Sequence, residues 1–410
     1  MIETTLGASD LRVSRVGLGC NNFGRRLDLA ATRAVVDAAS DHDVVETAAE
    51  ASRLRQAPLL VLESVRSFLD AHGLGSGDIA VARTGEGRSN FTFVVERGDE
   101  RYVLRRPPRP PFPASTHDVV REARLQLALA PLGVRVPHIL AVCDDTSLLG
   151  VPFYVMEHIE GKVITDALPR PLDHDEGARH ALGLHLVDVL AEIHGVGIEE
   201  PALAPFLRSG NYLERQLRRF GELWALNATR SIPAVEEVGG RLAARLPDPV
   251  PATVVHGDFR LGNMIVSLVD PAEIVAAVDW EMGAVGDPRA DLGYLLATYT
   301  EPGAPVSIVG SSPATGAPGF PSKRELRERY AAQTGTDVQG LEWFVALALW
   351  KAAVFCEAIY GRYVRGELAA GDDATQWLQR RPISSDFSAG SRLAPRLNLL
   401  CAGLDHRAVT

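Results

Sequence analysis

Between Val254 and Asp279 the chain carries the one strand-like pattern in a second half otherwise written at helical spacing. Apolar positions there mark helices at about 177–195, 211–227, 234–245, 323–334 and 340–367. The strand–loop–strand between them reads as a hairpin-like ribbon. Its first half, VVHGDFRLGNMIV, interrupts an apolar run with His256, Asp258 and Asn263. Neither a buried strand nor a plain turn needs that set. Its second half, EIVAAVDWEMG, places Asp279 at the end of the returning strand.

The first half of the chain has the opposite character. A helix is predicted over 59–74, then a strand, a Gly-rich turn, the strand FTFVVER, the tight turn GDE and the strand RYVLRR. HDVVREARLQLALAPLG has the period of an amphipathic helix and stops at Pro131 and Gly133. HILAVCDD and PFYVMEHIEG read as two further strands. A small sheet-rich lobe with one helix, followed by a helical lobe, is a two-lobed α+β layout. The predicted divisions are an N-terminal segment 1–39, a linker 40–57, an N-lobe 58–160, a C-lobe 161–370 and a weakly patterned tail 371–410. The length of 410 residues exceeds what a single core usually holds.

Charge and cysteine content exclude some function classes. Lys plus Arg is 42 against 52 Asp plus Glu, a net charge of −10, where nucleic-acid binders show a basic balance or stripe. No apolar run reaches the roughly 20 uninterrupted residues of a membrane helix, and the N-terminus lacks a secretory pattern. Cys20, Cys143, Cys356 and Cys401 are scattered, without a CxxC pair. A cytoplasmic protein with neither nucleic-acid nor membrane partners is expected; the oligomeric state is not legible.

The polar groups of the ribbon suit phosphoryl transfer. One carboxylate orients or deprotonates an attacking hydroxyl, while an amide oxygen and a second carboxylate hold Mg²⁺ on nucleotide phosphates. Asp258 is the candidate base, Asn263 and Asp279 the candidate metal ligands. His256 is expected to shape the loop backbone.

HGD-x4-N followed by DWE resembles the catalytic loop and metal-binding motif of the aminoglycoside phosphotransferase-like (choline-kinase-like) family. YVLRRPP, PFYVMEHIEG, YLERQLRRF, DWEMGAVGDPRADLGYL and WFVALALWKAAVFCEAIYGRY resemble more closely the branch also found fused to acyl-CoA dehydrogenases. The resemblance covers about 58–370 and implies a bilobal protein-kinase-like fold and an ATP- and Mg²⁺-dependent kinase of small-molecule hydroxyls. It further implies that Arg105 stands where kinases place the phosphate-holding strand lysine, with Glu122 as its helix partner. The turn containing Gly87, Ser89 and Asn90 would contact phosphate through backbone N–H groups. Glu157 to Ile159 would be the hinge that bonds adenine. Glu281 is a candidate metal-facing or supporting carboxylate. Asp287, Arg289 and Asp291 are expected to tie the loop structurally, and His194, Tyr294, Trp343, Trp350 and Phe355 to pack the core.

The opening IETTLGASDLRVSRVGLGCNNFG with AATRAVVDAA resembles the start of aldo/keto reductases, but the pattern ends by residue 39. An eight-stranded barrel needs far more chain, so reductase activity is not expected. The alternative function is a non-catalytic nucleotide-binding pseudokinase module, motivated by Arg105 in place of lysine and by the incomplete Gly-rich turn. For the acceptor two classes stay open, a hydroxyacyl-CoA-like metabolite and an aminoglycoside-like alcohol. Its contacts are expected from SGNYLERQLRRF and 343–360.

Overall fold

The computed structural model describes residues 43–54, 56–84, 90–110, 117–304 and 312–364, together with a ribbon pairing Glu3–Thr5 with Arg12–Ser14. The rest of the reductase-like segment and the tail 371–410 lie outside the described residues.

The N-lobe begins earlier than the sequence suggests. From residue 43 the segment read as a linker is built into the lobe. Strand β1 (Val44–Val45) pairs in parallel with β2 (Leu60–Val61), and the turn of helix α1 (Ala48–Ala51) is closed by a capping box between Thr47 and Glu50. Arg109 Nη2 donates to Asp43 Oδ1 at 2.7 Å, fastening this segment to the lobe. Two-residue strands and a one-turn helix are too short to give a readable period, which is why composition alone suggested a linker. The predicted helix 59–74 contracts to α2 (Leu62–Ala71), because Leu60 and Val61 are taken into the strand that precedes it, with Leu59 buried just before it.

Strands β3 (Ile79–Thr84), β4 (Phe91–Arg97), β5 (Glu100–Arg106), β6 (Ile139–Cys143) and β7 (Phe153–Glu157) form one antiparallel sheet in the order β3-β4-β5-β7-β6. Alternation along β4 turns Phe93 and Val95 onto α2, where they join Phe68, Leu69 and Phe153 in the lobe's core. Helix α3 (Val119–Leu129) starts at Asp118, whose carboxylate accepts the Arg121 N–H at 2.9 Å. It buries Glu122 in its first turn, and a second core of Val103, Val119, Ala123, Tyr154 and Met156 seats it on the other face of the sheet.

The C-lobe holds the five predicted helices in order and one that the apolar spacing did not mark, over Arg289–Thr298. Helices α4 (Glu176–His194), α5 (Tyr212–Asn227), α6 (Pro233–Ala244), α7 (Arg289–Thr298), α8 (Lys323–Thr334) and α9 (Leu341–Val364) surround the ribbon. Strand β8 (Lys162–Val163) pairs with β10 (Met264–Val266), which pairs with β11 (Ile274–Ala277); β9 (Thr253–Val255) pairs with β12 (Ala284–Gly286). So the ribbon is a hairpin, as expected, with one added strand on its outer side and a second small ladder below.

Contrary to expectation, helix α9 is long and apolar enough over Leu341–Arg362 to cross a membrane, although Glu342, Lys351 and Glu357 break its apolar run. It is a core helix here, burying Phe344, Leu347, Trp350 and Val354 among α5, α6 and α7. Trp343 and Trp350 are buried as predicted, while Phe355 is 44% exposed, on a side of the helix left to solvent, with its ring meeting Phe220 in a T-shaped contact. The α7–α9 crossing is so close that a Cβ on Gly293 would sit 2.4 Å from Phe344 Cβ and 2.7 Å from its carbonyl carbon. Because backbone must move, Gly293→Ala is expected to destabilise the protein by about 1–3 kcal/mol, net of any helix-propensity gain of about 1 kcal/mol. Urea unfolding checks this; an unshifted midpoint would mean the two helices part freely.

Candidate active site

Three layers of hydrogen bonds set the loop that follows β9. Asp291, in the first turn of α7, accepts the N–H of His256 at 2.6 Å and of Gly257 at 2.7 Å. His194 Nε2 lies 3.3 Å from the same carboxylate, and His194 Nδ1 is 2.6 Å from the Tyr330 hydroxyl. Burial by itself would raise the Asp291 carboxyl; the bonds from His194 and from the His256 backbone outweigh it and hold Asp291 below the usual carboxylate range. The fully buried His256 ring then spans the ribbon. Its Nδ1 accepts the Asp258 N–H at 3.3 Å, which leaves the proton on Nε2 to donate to the Val278 carbonyl at 3.0 Å. Gly257 turns at φ +84, with Met282 so close that a Cβ would meet its backbone at 2.7 Å. His256, His194 and Asp291 are therefore the loop's frame; the sequence implied this for His256 and Asp291, but only packing for His194.

On that frame stand the reactive groups. Asn263 Nδ2 donates to the Asp258 carbonyl at 2.8 Å and to Asp258 Oδ2 at 2.9 Å. With its amide nitrogen committed twice, Asn263 is left with its oxygen as the group for a cation. Asp258 Oδ1 is buried and accepts no hydrogen bond among the described residues, with Arg260 Nε 3.6 Å away. Asp279, at the far end of β11, adopts a left-handed backbone (φ 70), a conformation Asp tolerates better than most side chains. Trp280 closes that turn through its indole N–H to the Ala277 carbonyl at 3.0 Å.

Arg105 joins the lobes. Its Nε donates to Glu122 Oε2 at 3.1 Å, its Nη1 to Thr92 at 3.3 Å, and its Nη2 to the Asp279 carboxylate. Burial would lower the guanidinium, but the charges of Asp279 and Glu122 outweigh it and hold Arg105 well above its ordinary range. Glu281 accepts from Asn90 Nδ2 at 3.1 Å and lies 4.0 Å from Arg105, so it supports this cluster from the side. Asn90 is buried, its side chain tying the end of the Gly-rich turn to the C-lobe; Gly87 and Ser89 lie outside the described residues. Glu157 ends β7, with its N–H given to the His138 carbonyl at 2.9 Å, and Ile159 follows it in the connection between lobes.

The donors near Asp279 are hard oxygens, which suit Mg²⁺. Among the described residues no cluster of three or more His, Cys, Asp or Glu could hold a metal alone. A cation between Asn263 and Asp279 would complete its shell with phosphate oxygens and water, the usual habit of Mg²⁺. A carboxylate oxygen without a hydrogen-bond donor, two hard oxygen groups and a buried guanidinium thus stand around the ribbon's open end.

The sequence model of the phosphotransferase enzyme family (APH) matches residues 80–344, nearly two thirds of the chain. The chain belongs to this family. A candidate aminoglycoside phosphotransferase from Ralstonia eutropha JMP134 superposes on this phosphotransferase with a TM-score of 0.64 at 27% identity, covering 82% of this chain and 96% of that one. A spectinomycin phosphotransferase solved with ADP and spectinomycin shares the fold, with a TM-score of 0.51 at 11% identity over 82% of this chain and 98% of its own. Acyl-CoA dehydrogenase family member 11 of Gallus gallus is 33% identical over 303 residues, which are 72% of this chain and 38% of that protein. Family member 10 of Mus musculus is 31% identical over 308 residues, 75% and 28% of the two chains. The phosphotransferase thus spans well under half the length of these curated relatives. The kinase-like fold, the family and its acyl-CoA dehydrogenase-linked branch are as the motifs implied.

Two residues at the site depart from the sequence expectation, which gives Tyr294 to the core and assigns Lys351 no role. The Tyr294 phenol, desolvated and facing the Asp258 carboxylate, is held well above its ordinary range. Lys351 is 8% exposed in the middle of α9. At helical spacing, a side chain aimed into a crevice looks the same as one aimed into the core. A lone lysine within LALWKAAVF was the available signal.

Proposed function

We propose that this phosphotransferase moves the γ-phosphoryl group of ATP to a hydroxyl of a small molecule, either a hydroxyacyl-CoA-like metabolite or an aminoglycoside-like alcohol. Asp258 acts as the base. The observation that carries this reading is the division of labour on Asp258: Oδ2 is held by Asn263, and Oδ1 accepts no hydrogen bond among the described residues, which leaves it the group for an acceptor hydroxyl. Asn263 and Asp279 would hold Mg²⁺, which when bound neutralises charge building on the phosphate oxygens. Arg105, kept in place by Glu122, supplies a fixed positive charge toward the phosphates, and the Glu157–Ile159 segment takes the base of the nucleotide. Asn90, with Gly87 and Ser89, belongs to the turn that covers the phosphates.

ADP in the complex of the spectinomycin phosphotransferase supports an adenine nucleotide, whereas the aminoglycoside 2'-phosphotransferase-IIIa of the same fold was solved with GDP. The pseudokinase alternative loses its main motive, since Arg105 has the helix carboxylate partner that a phosphate-holding cation needs. A cytoplasmic location and the absence of nucleic-acid or membrane partners complete the reading. The test is transfer of labelled γ-phosphate from ATP or GTP, with and without Mg²⁺, to hydroxyacyl-CoAs, aminoglycosides and amino alcohols. Mg²⁺-dependent transfer from ATP to one class is expected. Nucleotide binding without transfer to any hydroxyl would favour the non-catalytic module.

A further inference from the structure

Beside the base, helices α5, α7 and α9 leave a crevice lined by Tyr212, Gln216, Gly257, Tyr294 and Lys351. Its enclosed volume, about 10 Å³, is near the room one water needs. Every polar group here is unusually placed. The Gln216 carbonyl oxygen is buried without a partner. The Tyr294 hydroxyl faces Asp258. Among the described residues the Lys351 ammonium has the face of the Phe220 ring, 4.7 Å from Nζ, and no hydrogen-bond acceptor.

Asp291 lies in the same crevice yet does not serve as the lysine's partner. One of its oxygens is taken by the Gly257 N–H, the other by the His256 N–H and the His194 ring. A buried ammonium with no dedicated acceptor is costly unless something else supplies one. Burial pulls Lys351 down to about 8, against the charges of Asp291 and Asp258, so at neutral pH it remains mostly cationic.

We infer that Lys351 determines specificity at the acceptor site: it receives a carboxylate or carbonyl oxygen of the acceptor whose hydroxyl reaches Asp258, and it turns away an acceptor bearing an ammonium group there. The inference rests on the phosphotransferase reading and narrows its two acceptor classes. The crevice has room for one oxygen-bearing group, not for a sugar ring, so the acceptor enters end-on. A cationic alcohol would place two like charges in a desolvated space, where repulsion is least screened.

The test uses the full chain with Mg–ATP and three matched panels: hydroxy acids of three to six carbons, their N-acetylcysteamine thioesters, and amino alcohols of the same lengths. The unaltered protein is expected to favour acids or thioesters over amino alcohols by at least about tenfold in kcat/KM. The two oxygen panels show whether the group is a free carboxylate or an acyl carbonyl. Lys351→Met should raise KM for the preferred panel by at least about tenfold and collapse the preference. Lys351→Glu should reverse it, and Lys351→Arg, which keeps the charge, should retain its direction even where Lys351→Met folds poorly. Equal losses across all panels in the Met and Glu variants would mean a purely structural lysine and overturn the inference. So would a preference for amino alcohols, or turnover of no panel member by a protein that hydrolyses Mg–ATP. If Mg–ATP is neither bound nor hydrolysed, the phosphotransferase reading itself has failed and the inference falls with it.

Discussion

Asp258→Ala is expected to lower kcat by about 10²–10⁴-fold while the protein stays folded. Oδ1 is the group that can take a proton from an acceptor hydroxyl, because no donor in the described structure occupies it. Asp258→Asn should lose about as much, although its amide oxygen can still accept from Asn263. What both variants lose is the proton-accepting charge, not the loop's shape. The frame does not depend on the side chain, since Asp291 and His256 hold the backbone on either side. A buried carboxylate oxygen without a partner also works against stability, by about 1–3 kcal/mol where desolvation is complete. The alanine variant should therefore unfold at the same temperature as the parent or higher. Rapid-quench measurement of phosphoryl transfer, alongside thermal unfolding, separates the two effects. Turnover within tenfold of the parent would remove Asp258 from the base's role.

The site was legible where its geometry is local in sequence. Asp258 and Asn263 are five positions apart on one loop, and Asp279 ends the strand that pairs with the one after Asn263, so spacing and strand pattern were enough. The long helices were legible for a similar reason: α8 has the predicted limits, and α4 to α6 and α9 shift by only a few residues. Less was readable where a side chain's meaning depends on what arrives from elsewhere. Arg105 could be paired with Glu122 by resemblance, but its bond to Asp279 joins residues 174 positions apart and belongs to the closing of two lobes. Lys351 interrupts an apolar helix. Its significance appears only once α5 and α7 bring Gln216 and Tyr294 beside it. The segment from Asp43 to Leu54 failed as a linker because its order comes from pairing with Leu60–Val61, not from any pattern of its own.

Asp291→Ala should damage stability severely. The carboxylate accepts two backbone N–H groups in a buried turn, and alanine would orphan both, at about 1–3 kcal/mol each. A combined loss of roughly 2–5 kcal/mol is expected, a large share of the about 5–15 kcal/mol that holds a typical domain together. His194 would lose a partner as well, though its bond to Tyr330 remains. Because the folded-state carboxyl is held below its ordinary range, its charge-dependent stabilisation is present above the unfolded pKa of about 3.9. That part is lost only as pH falls through the still lower folded value. Chemical denaturation of the parent and Asp291→Ala should thus give a stability gap that is flat from pH 8 to pH 5 and narrows only in stronger acid. A gap that closed between pH 7 and pH 5 would instead place the loop's stability on a titrating histidine, and Asp291 would no longer be its anchor. The variant's activity should fall along with its stability, since Asp258 stands on the turn that Asp291 holds.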